Sequence, residues 1–233
     1  METGSGGKEV SLIPIKKSTS VTQQVYDRLL EAMMSLTLPP GQMVSENNLA
    51  EQLMVSRTPV REALKRLEQE GLVQTTPQKG TQVLKLSAVQ LAEAAELRRI
   101  LELWAAVTAA DKLNGNDIDR MWQAQQTVQD AFNVQDYIRL LEWDALFHEV
   151  FLRAAGNSKV VQTVNLMNFQ IWRFRLLWLR TGEGTERMLV EHEELVRALE
   201  RRDLSVLPTI MRQHIDFAEH IPRVRSVWPD YFE

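Results

Sequence analysis

VSRTPVREALKRLEQEGL, residues 55–72, is the stretch that decides the fold of the first third of the chain. Val60, Leu64 and Leu67 share one helical face, Ser56 stands at the N-cap position, and Gly71 supplies the left-handed stop. Pro59 is tolerated because the N–H groups of a first turn have no intrahelical partner to lose. The same turn carries Arg57 and Thr58, and Arg61 and Lys65 continue a basic stripe at four-residue spacing. Core packing requires none of these. A cationic stripe at the amino end of a helix, where the dipole also favours negative charge, points at an anion such as phosphate.

Working outward, ENNLAEQLM behind Ser45 predicts a shorter helix, and the turn MVS joins it to the arginine-bearing one. This is a helix-turn-helix whose second helix can enter a DNA major groove amino end first, with Val60, Leu64 and Leu67 buried against Leu49, Leu53 and a preceding helix. That preceding helix begins at Ser20, where Ser-x-x-Gln has the form of a capping box, and it stops before LTLPPG. LVQTT and TQVLKL, separated by PQKG, predict a β-hairpin whose basic tip, Lys79-Gly80, is shaped as a wing. Arg57 and Arg61 can donate two bonds to guanine or clamp phosphate; Ser56 and Thr58 can bind phosphate oxygens, with Pro59 at the helix entry. The competing reading is a solvated helix face whose arginines pair with Glu62 or Glu68. The coincidence of a three-helix layout with a basic-tipped hairpin favours DNA.

Composition agrees with a globular protein: 233 residues, 44% hydrophobic and 25% charged. The absence of cysteine excludes disulfides, thiolate catalysis and Cys-ligated zinc. No window has the apolar length of a membrane span, and METGSGGKEV lacks the apolar core of a secretory signal, so a cytoplasmic protein without membrane association is expected. The net charge of −4 is uneven: the first 86 residues carry about +1 and the rest about −5, which places the anion-binding part in the first third. Residues 1–18 read as a flexible arm and 19–86 as the winged helix-turn-helix.

After Ser87 the pattern is wholly helical, with about six helices near 88–113, 117–133, 136–155, 158–180, 185–202 and 204–221. Breaks at NGND, NVQD, AGNS, TGEG and RRD carry turn and capping residues, and short connections between long helices predict an antiparallel bundle. The protein is therefore expected to be mainly α, with the bundle over 87–222 and a C-terminal tail over 223–233.

The bundle holds a second constellation. Asp144 and His148 are one i, i+4 step apart and so share a face, while His192 and His214 lie on two further predicted helices. A carboxylate with three imidazoles is a ligand set for zinc or another first-row divalent ion, nickel or manganese included. From spacing alone, ordinary core or surface histidines remain the open alternative. His220 serves as an internal control: six residues beyond His214, about 240° around a continuous helix, it should point elsewhere.

Residues 35–83, through PPG, S-E-x-x-LA-x-x-L, VSRTPVREAL and L-x-x-x-GL, resemble the DNA-binding domain of GntR-family bacterial transcription regulators. D-x-x-x-H, AAGN, a histidine followed by AL-x-x-x-D, and M-x-x-H resemble the FCD ligand-binding domain of the FadR-type branch. The resemblance implies that Ser56, Arg57, Thr58, Pro59, Arg61, Lys79 and Gly80 serve the DNA face. Asn47 stands where some relatives carry a further DNA-binding arginine. It also implies that Asp144, His148, His192 and His214 hold a metal, with Arg98 near a small organic acid effector. Arg98 has a second reading, a simple pair with Glu102 one turn on. Asn165, Asn168 and Arg173 are further candidates for the effector cavity, whereas Trp172, Phe174 and Trp178 read as core or dimer surface. A homodimeric repressor on a palindromic operator follows from the same resemblance. Two other readings are a metal-dependent hydrolase and a regulator whose metal is purely structural. Against the hydrolase, four protein ligands leave little open coordination, and no general base stands out, since Glu149 and Glu191 point about 100° from the adjacent ligands.

Overall fold

The computed structural model describes residues 20–182 and 185–233; the arm read at 1–18 lies outside them. Ser20 caps α1 (Val21–Met34) by accepting from the Gln23 N–H at 3.1 Å. Only this half of the expected capping box forms through Gln23, because its side chain donates to Asp27 and accepts from Arg66. α2 (Glu46–Gln52) and α3 (Arg57–Gln69) follow, with Ser45 and Ser56 at their N-cap positions but making no side-chain cap bond. Val25, Leu29 and Met33 of α1 pack with Leu49, Val60, Leu64 and Leu67 in one buried cluster, the face anticipated from the periodicity. Burial of aliphatic side chains of this size contributes about 1.5–3 kcal/mol each.

The hairpin forms as β2 (Val73–Thr76) and β3 (Gly80–Val83), antiparallel, with Thr75 opposite Thr81. Its turn places Pro77 and Gln78 between Thr76 and Lys79, closed by the Lys79 N–H to the Thr76 carbonyl at 3.1 Å; Gln78 takes φ +66°, the left-handed position of a type II turn. A third strand, β1 (Met43–Val44), pairs with the outer side of β3, giving the order β1-β3-β2. Two residues are too few to show a period, so the sequence did not announce it.

α4 (Ala88–Ala109), α5 (Gly115–Asn133), α6 (Tyr137–Ala154), α7 (Ser158–Arg180), α8 (Thr185–Glu200) and α9 (Leu207–Ile215) build the bundle. Its core runs through Ala105, Ala109, Met121, Phe147, Phe151, Val164, Leu195 and Met211. The helix expected over 204–221 is corrected at both ends. Arg202 at φ +54° and the Asp203 side chain, which accepts from Ser205, hold residues 201–206 out of the helix. At the other end Asp216 leaves helical conformation (φ −77°, ψ 88°) and its side chain accepts from the Ala218 N–H. Pro222 then cannot donate to a preceding turn, so a 3-10 turn (Ala218–His220) leads into a separate helix, α10 (Ile221–Val227).

Residues 223–233, assigned no element from the sequence, return to the interdomain linker. The Leu86 N–H donates to the Tyr231 carbonyl at 2.8 Å and the Glu233 N–H to the Leu86 carbonyl at 3.1 Å. Phe232 is buried with Leu86, Leu91, Phe174 and Phe217. No helix among the described residues is long and apolar enough to cross a membrane.

Candidate metal centre and nucleic-acid interface

At the amino end of α3, Ser56, Arg57, Thr58, Arg61 and Lys65 are exposed, while Pro59 is half-buried. Neither glutamate of the competing reading holds the arginines: Glu62 accepts from Thr22, and Glu68 accepts from the Thr75 N–H. Both arginines instead reach Glu46 of α2, Arg61 through Nε and Nη2 and Arg57 through Nη2. Asn47, Lys79 and Gly80 line one open groove of about 560 Å³ between β1 with the start of α2 and the hairpin tip, which Arg57 of α3 also reaches. Arg57 and the hairpin tip thus border one concavity.

In the bundle, Asp144 and His148 of α6 meet His192 of α8 and His214 of α9. His148 Nε2 lies 2.9 Å from His214 Nε2, and His192 Nε2 lies 3.2 Å from His214 Nε2 and 3.4 Å from Asp144 Oδ1. Two atoms each bound to one ion at zinc–ligand length are about 3.0 Å apart at a right angle and about 3.4 Å apart at the tetrahedral angle. These three spacings are those of neighbouring ligands on one ion, whereas His148 Nε2 and Asp144 Oδ1 stand 4.0 Å apart and the four atoms together lie within 4.8 Å of one another.

The outer contacts decide which ring nitrogens face inward. His148 Nδ1 meets Glu102 Oε2 at 2.5 Å, His192 Nδ1 meets Gln125 Oε1 at 2.9 Å, and His214 Nδ1 faces Glu191 Oε2 at 3.4 Å. The Gln125 amide has its orientation fixed, because its nitrogen donates to the Leu189 carbonyl. Protonation on Nδ1 toward Glu102 and Gln125 turns the Nε2 lone pairs of His148 and His192 toward the centre, while His214 Nδ1 makes no hydrogen bond. The inward Nε2 atoms and the buried Asp144 Oδ1, which has no hydrogen-bond partner, form a donor set that a cation would satisfy. The donor set fits a first-row divalent ion.

Charge supports the same geometry. Burial pushes the His192 imidazole down to about 4, reinforced by the charge of His214, so it is neutral and able to ligate near neutral pH. Burial alone would raise the Asp144 carboxyl, but Arg175, donating to Oδ2 at 2.7 Å, and the surrounding histidines hold it well below its ordinary range. Glu102 is likewise drawn down to about 2, burial being outweighed by Arg98 and His148. Phe147 stacks on His192 at 4.1 Å and walls the cluster with apolar surface.

A small cavity of about 40 Å³ opens beside His148 and His214, lined also by Arg98, Arg175, Arg187, Gln213 and His220. Among models of known families, "Bacterial regulatory proteins, gntR family" matches residues 21–83 and "FCD domain" matches residues 93–217. The chain belongs to the GntR family.

Relatives agree along most of the length. An uncharacterized HTH-type transcriptional regulator in an unstable DNA locus of Streptomyces ambofaciens is 30% identical over 90% of this chain and 89% of its own. The HTH-type transcriptional repressor RspR of Escherichia coli is 27% identical over 91% of this chain and 93% of its own, and the gluconate operon transcriptional repressor of Bacillus subtilis is 26% identical over 92% and 88%. The fold matches E. coli McbR/YncC with a TM-score of 0.74 at 23% identity, covering 90% of this chain and 99% of that one. This GntR protein is a DNA-binding transcriptional regulator, not an enzyme, with repressors among its relatives.

Of the four effector candidates, the structure brings only Arg98 to the cavity beside His148 and His214. The pair with Glu102 forms, Nε donating to Oε1, and the side chain also lines the cavity. Asn165 and Asn168 face a groove against α1 of the DNA-binding domain, and Arg173 lies under the interdomain linker, donating to the Leu84 carbonyl. Apolar residues on several sides of α7 gave its phase no single inward direction, so these three could not be oriented from sequence. Phe174 and Trp178 are core, and Trp172 borders the α1 groove. His220 is outside the ligand cluster as expected, but for another reason: the helix ends at Ile215, and His220 stacks on Trp178 at 4.6 Å at the cavity wall. Sequence reasoning missed Gln125, Arg175, Arg187 and the outer role of Glu191, which turns to His214 rather than to its neighbour His192. Glu191 and Glu102 had a signal, each adjacent to or one turn from a named residue; Gln125 had none.

Proposed function

We propose that this regulator is a homodimeric repressor of a palindromic operator, and that a small organic acid bound at a metal in the FCD domain sets its DNA affinity. The three inward Nε2 atoms, converging beside the partnerless Asp144 oxygen, carry this reading. Zinc suits three imidazoles and a carboxylate best, with nickel and manganese as alternatives. When bound, the ion supplies a Lewis-acid site for one carboxylate oxygen.

The chain's own charges favour an anionic ligand. Arg98 pairs with Glu102, Arg175 with Asp144, and Arg187 with Glu191 and the exposed Glu219, while Asp216 also lines the cavity. A divalent ion adds a positive centre beside the guanidiniums of Arg98, Arg175 and Arg187, and an organic acid can bind there. Arg98, Arg187 and Gln213 are placed to orient the second carboxylate oxygen. The cavity is too small for more than the carboxylate, so the body of the ligand must press on the α9–α10 wall at Gln213 and His220. That wall continues through Phe217 and α10 to Phe232, which is clasped to Leu86 in the linker. Effector and operator are coupled through this segment because the ligand favours one position of it.

Leu97, Ile100, Trp104 and Val107 form an exposed apolar stripe along α4 at three- and four-residue spacing. A second copy covers it in the proposed dimer, and two recognition helices then read two half-sites. A fluorescence titration of operator DNA, with organic acids added before and after chelator treatment, tests the reading. Acid-dependent release that disappears on chelation supports it; release that persists unchanged assigns the effector elsewhere.

A further inference from the structure

Arg173 is the one predicted effector residue that the fold buries far from the histidines, and its surroundings are unusual for an arginine. It is only 3% exposed. Among the described residues no carboxylate lies within ion-pairing distance of it; its Nη1 donates to the Leu84 carbonyl at 2.8 Å, and its Nε has no partner. Burial with no compensating charge pulls the guanidinium down to about 10, so it still carries its proton at neutral pH. An unpaired buried cation is costly, and a protein that retains one has a use for it.

Arg173 also lines a cleft of about 510 Å³. One wall is the interdomain linker, residues 84–87, and the others are α4 and α7. Leu86, Leu91 and Met167 are buried apolar residues of the lining, whereas the acidic residues Glu93 and Glu233 are exposed at its surface. The interior therefore offers one buried cation beside an apolar wall, with the anionic groups facing solvent.

We infer that this cleft is a second ligand site, separate from the metal cavity, that takes a small organic carboxylate with an apolar body, its head on Arg173. The carboxylate accepts from the free Nε and a terminal nitrogen, while the body lies against Leu86, Leu91 and Met167. Because the same guanidinium holds the Leu84 carbonyl, an occupant ties the linker to α7 and restrains the winged helix relative to the bundle. This site goes beyond the proposed metal-dependent response and does not rest on it.

The test uses the full-length protein with propionate, hexanoate and inorganic phosphate as probes, read by thermal unfolding in the wild type and in Arg173→Gln. At ten times its Kd a ligand should raise Tm by about 3–6 °C in a chain of this size. The expected result is a larger rise with hexanoate than with propionate, reduced at least fourfold in Arg173→Gln. Crystals of the wild-type protein soaked in 3-bromopropionate provide the second measurement, independent of any variant. An anomalous peak within reach of the Arg173 guanidinium supports the site. Equal shifts in both proteins, a response to phosphate alone, a peak only at the histidine cluster, or Glu233 itself folded onto Arg173 would each overturn it.

Discussion

Arg61 and Glu46 form a two-point ion pair across the helix-turn-helix, Arg61 donating from Nε at 3.1 Å and from Nη2 at 2.9 Å. The same carboxylate takes a longer bond from Arg57 at 3.5 Å. Glu46 thus holds together the two guanidiniums that the DNA face would use, and those arginines hold its carboxyl below the ordinary range, with Arg61 the main cause. Arg57→Ala or Arg61→Ala should each weaken specific operator binding by about 1–3 kcal/mol if the contact is a bidentate base contact. Glu46→Gln should do the reverse for unspecific DNA, raising affinity and lowering the ratio of operator to random-sequence binding. Fluorescence anisotropy at two salt concentrations separates these effects; unchanged operator affinity in both arginine variants removes the recognition-helix assignment.

The metal reading makes a stoichiometric prediction. Protein prepared without chelator or a nickel column should carry about one divalent ion per chain by elemental analysis, and the His148→Ala/His214→Ala double variant should carry none. The double variant should keep its winged helix-turn-helix, whose buried cluster includes no residue of the bundle. Equal metal content in both proteins would dissolve the ligand set.

Gln125 tests the finer claim that outer contacts fix the ring tautomers. Gln125→Ala removes the acceptor of His192 Nδ1 and the donor to the Leu189 carbonyl without touching a ligand. Metal affinity should fall about 10–100-fold, measured by competition with a chromophoric chelator. A change below twofold would mean that the Nδ1 contact does not orient the ring.

How much of this was legible beforehand follows physical lines. Asp144 and His148 could be paired from sequence because an i, i+4 step is a property of one helix, and the face of Val60, Leu64 and Leu67 was readable for the same reason. Gln125 lies 67 residues from His192, on a helix whose approach to α8 only tertiary packing decides. Arg175 was passed over for Arg173, two positions away and so on a different side of α7, because apolar neighbours surround both. β1 and the break at Asp216 escaped for lack of length: two residues or one side-chain turn carry no periodic signal.

Tyr26 should give the DNA-binding domain an alkaline limit. Its hydroxyl donates to Glu70 at 2.7 Å, and burial, then that carboxylate, push it up to about 12. The folded value exceeds the unfolded one of about 10, so the contribution is complete below pH 10 and is lost as pH rises toward 12. Tyr26→Phe should cost about 1.5–3 kcal/mol at neutral pH, the range for a hydrogen bond to a charged group. It should also flatten the loss of stability between pH 10 and 12 in denaturant titrations. An unaltered alkaline slope in the variant would assign the limit to other groups.

The C-terminal clasp predicts a separation of binding from response. Phe232 is 3% exposed and holds the chain end against Leu86, while the backbone bonds from Leu86 to Tyr231 and from Glu233 to Leu86 close the contact. Between this clasp and His214 lie the end of α9, the turn at Asp216–His220, α10 and a 3-10 turn at Pro229–Tyr231, so movement of the cavity wall can reach the linker without crossing the bundle core. Phe232→Ala removes the apolar anchor at a cost of about 3–5 kcal/mol where a buried Phe is lost, enough to free the end of the chain. The histidine cluster and α3 are untouched, so metal content and operator affinity without effector should stay within about twofold of wild type. The effector-induced change in operator affinity, about 5–150-fold for a typical allosteric coupling, should shrink toward unity. A full response in Phe232→Ala, measured in the same operator titration, would show that coupling runs through α4 and α7 instead and leave the clasp with a packing role alone.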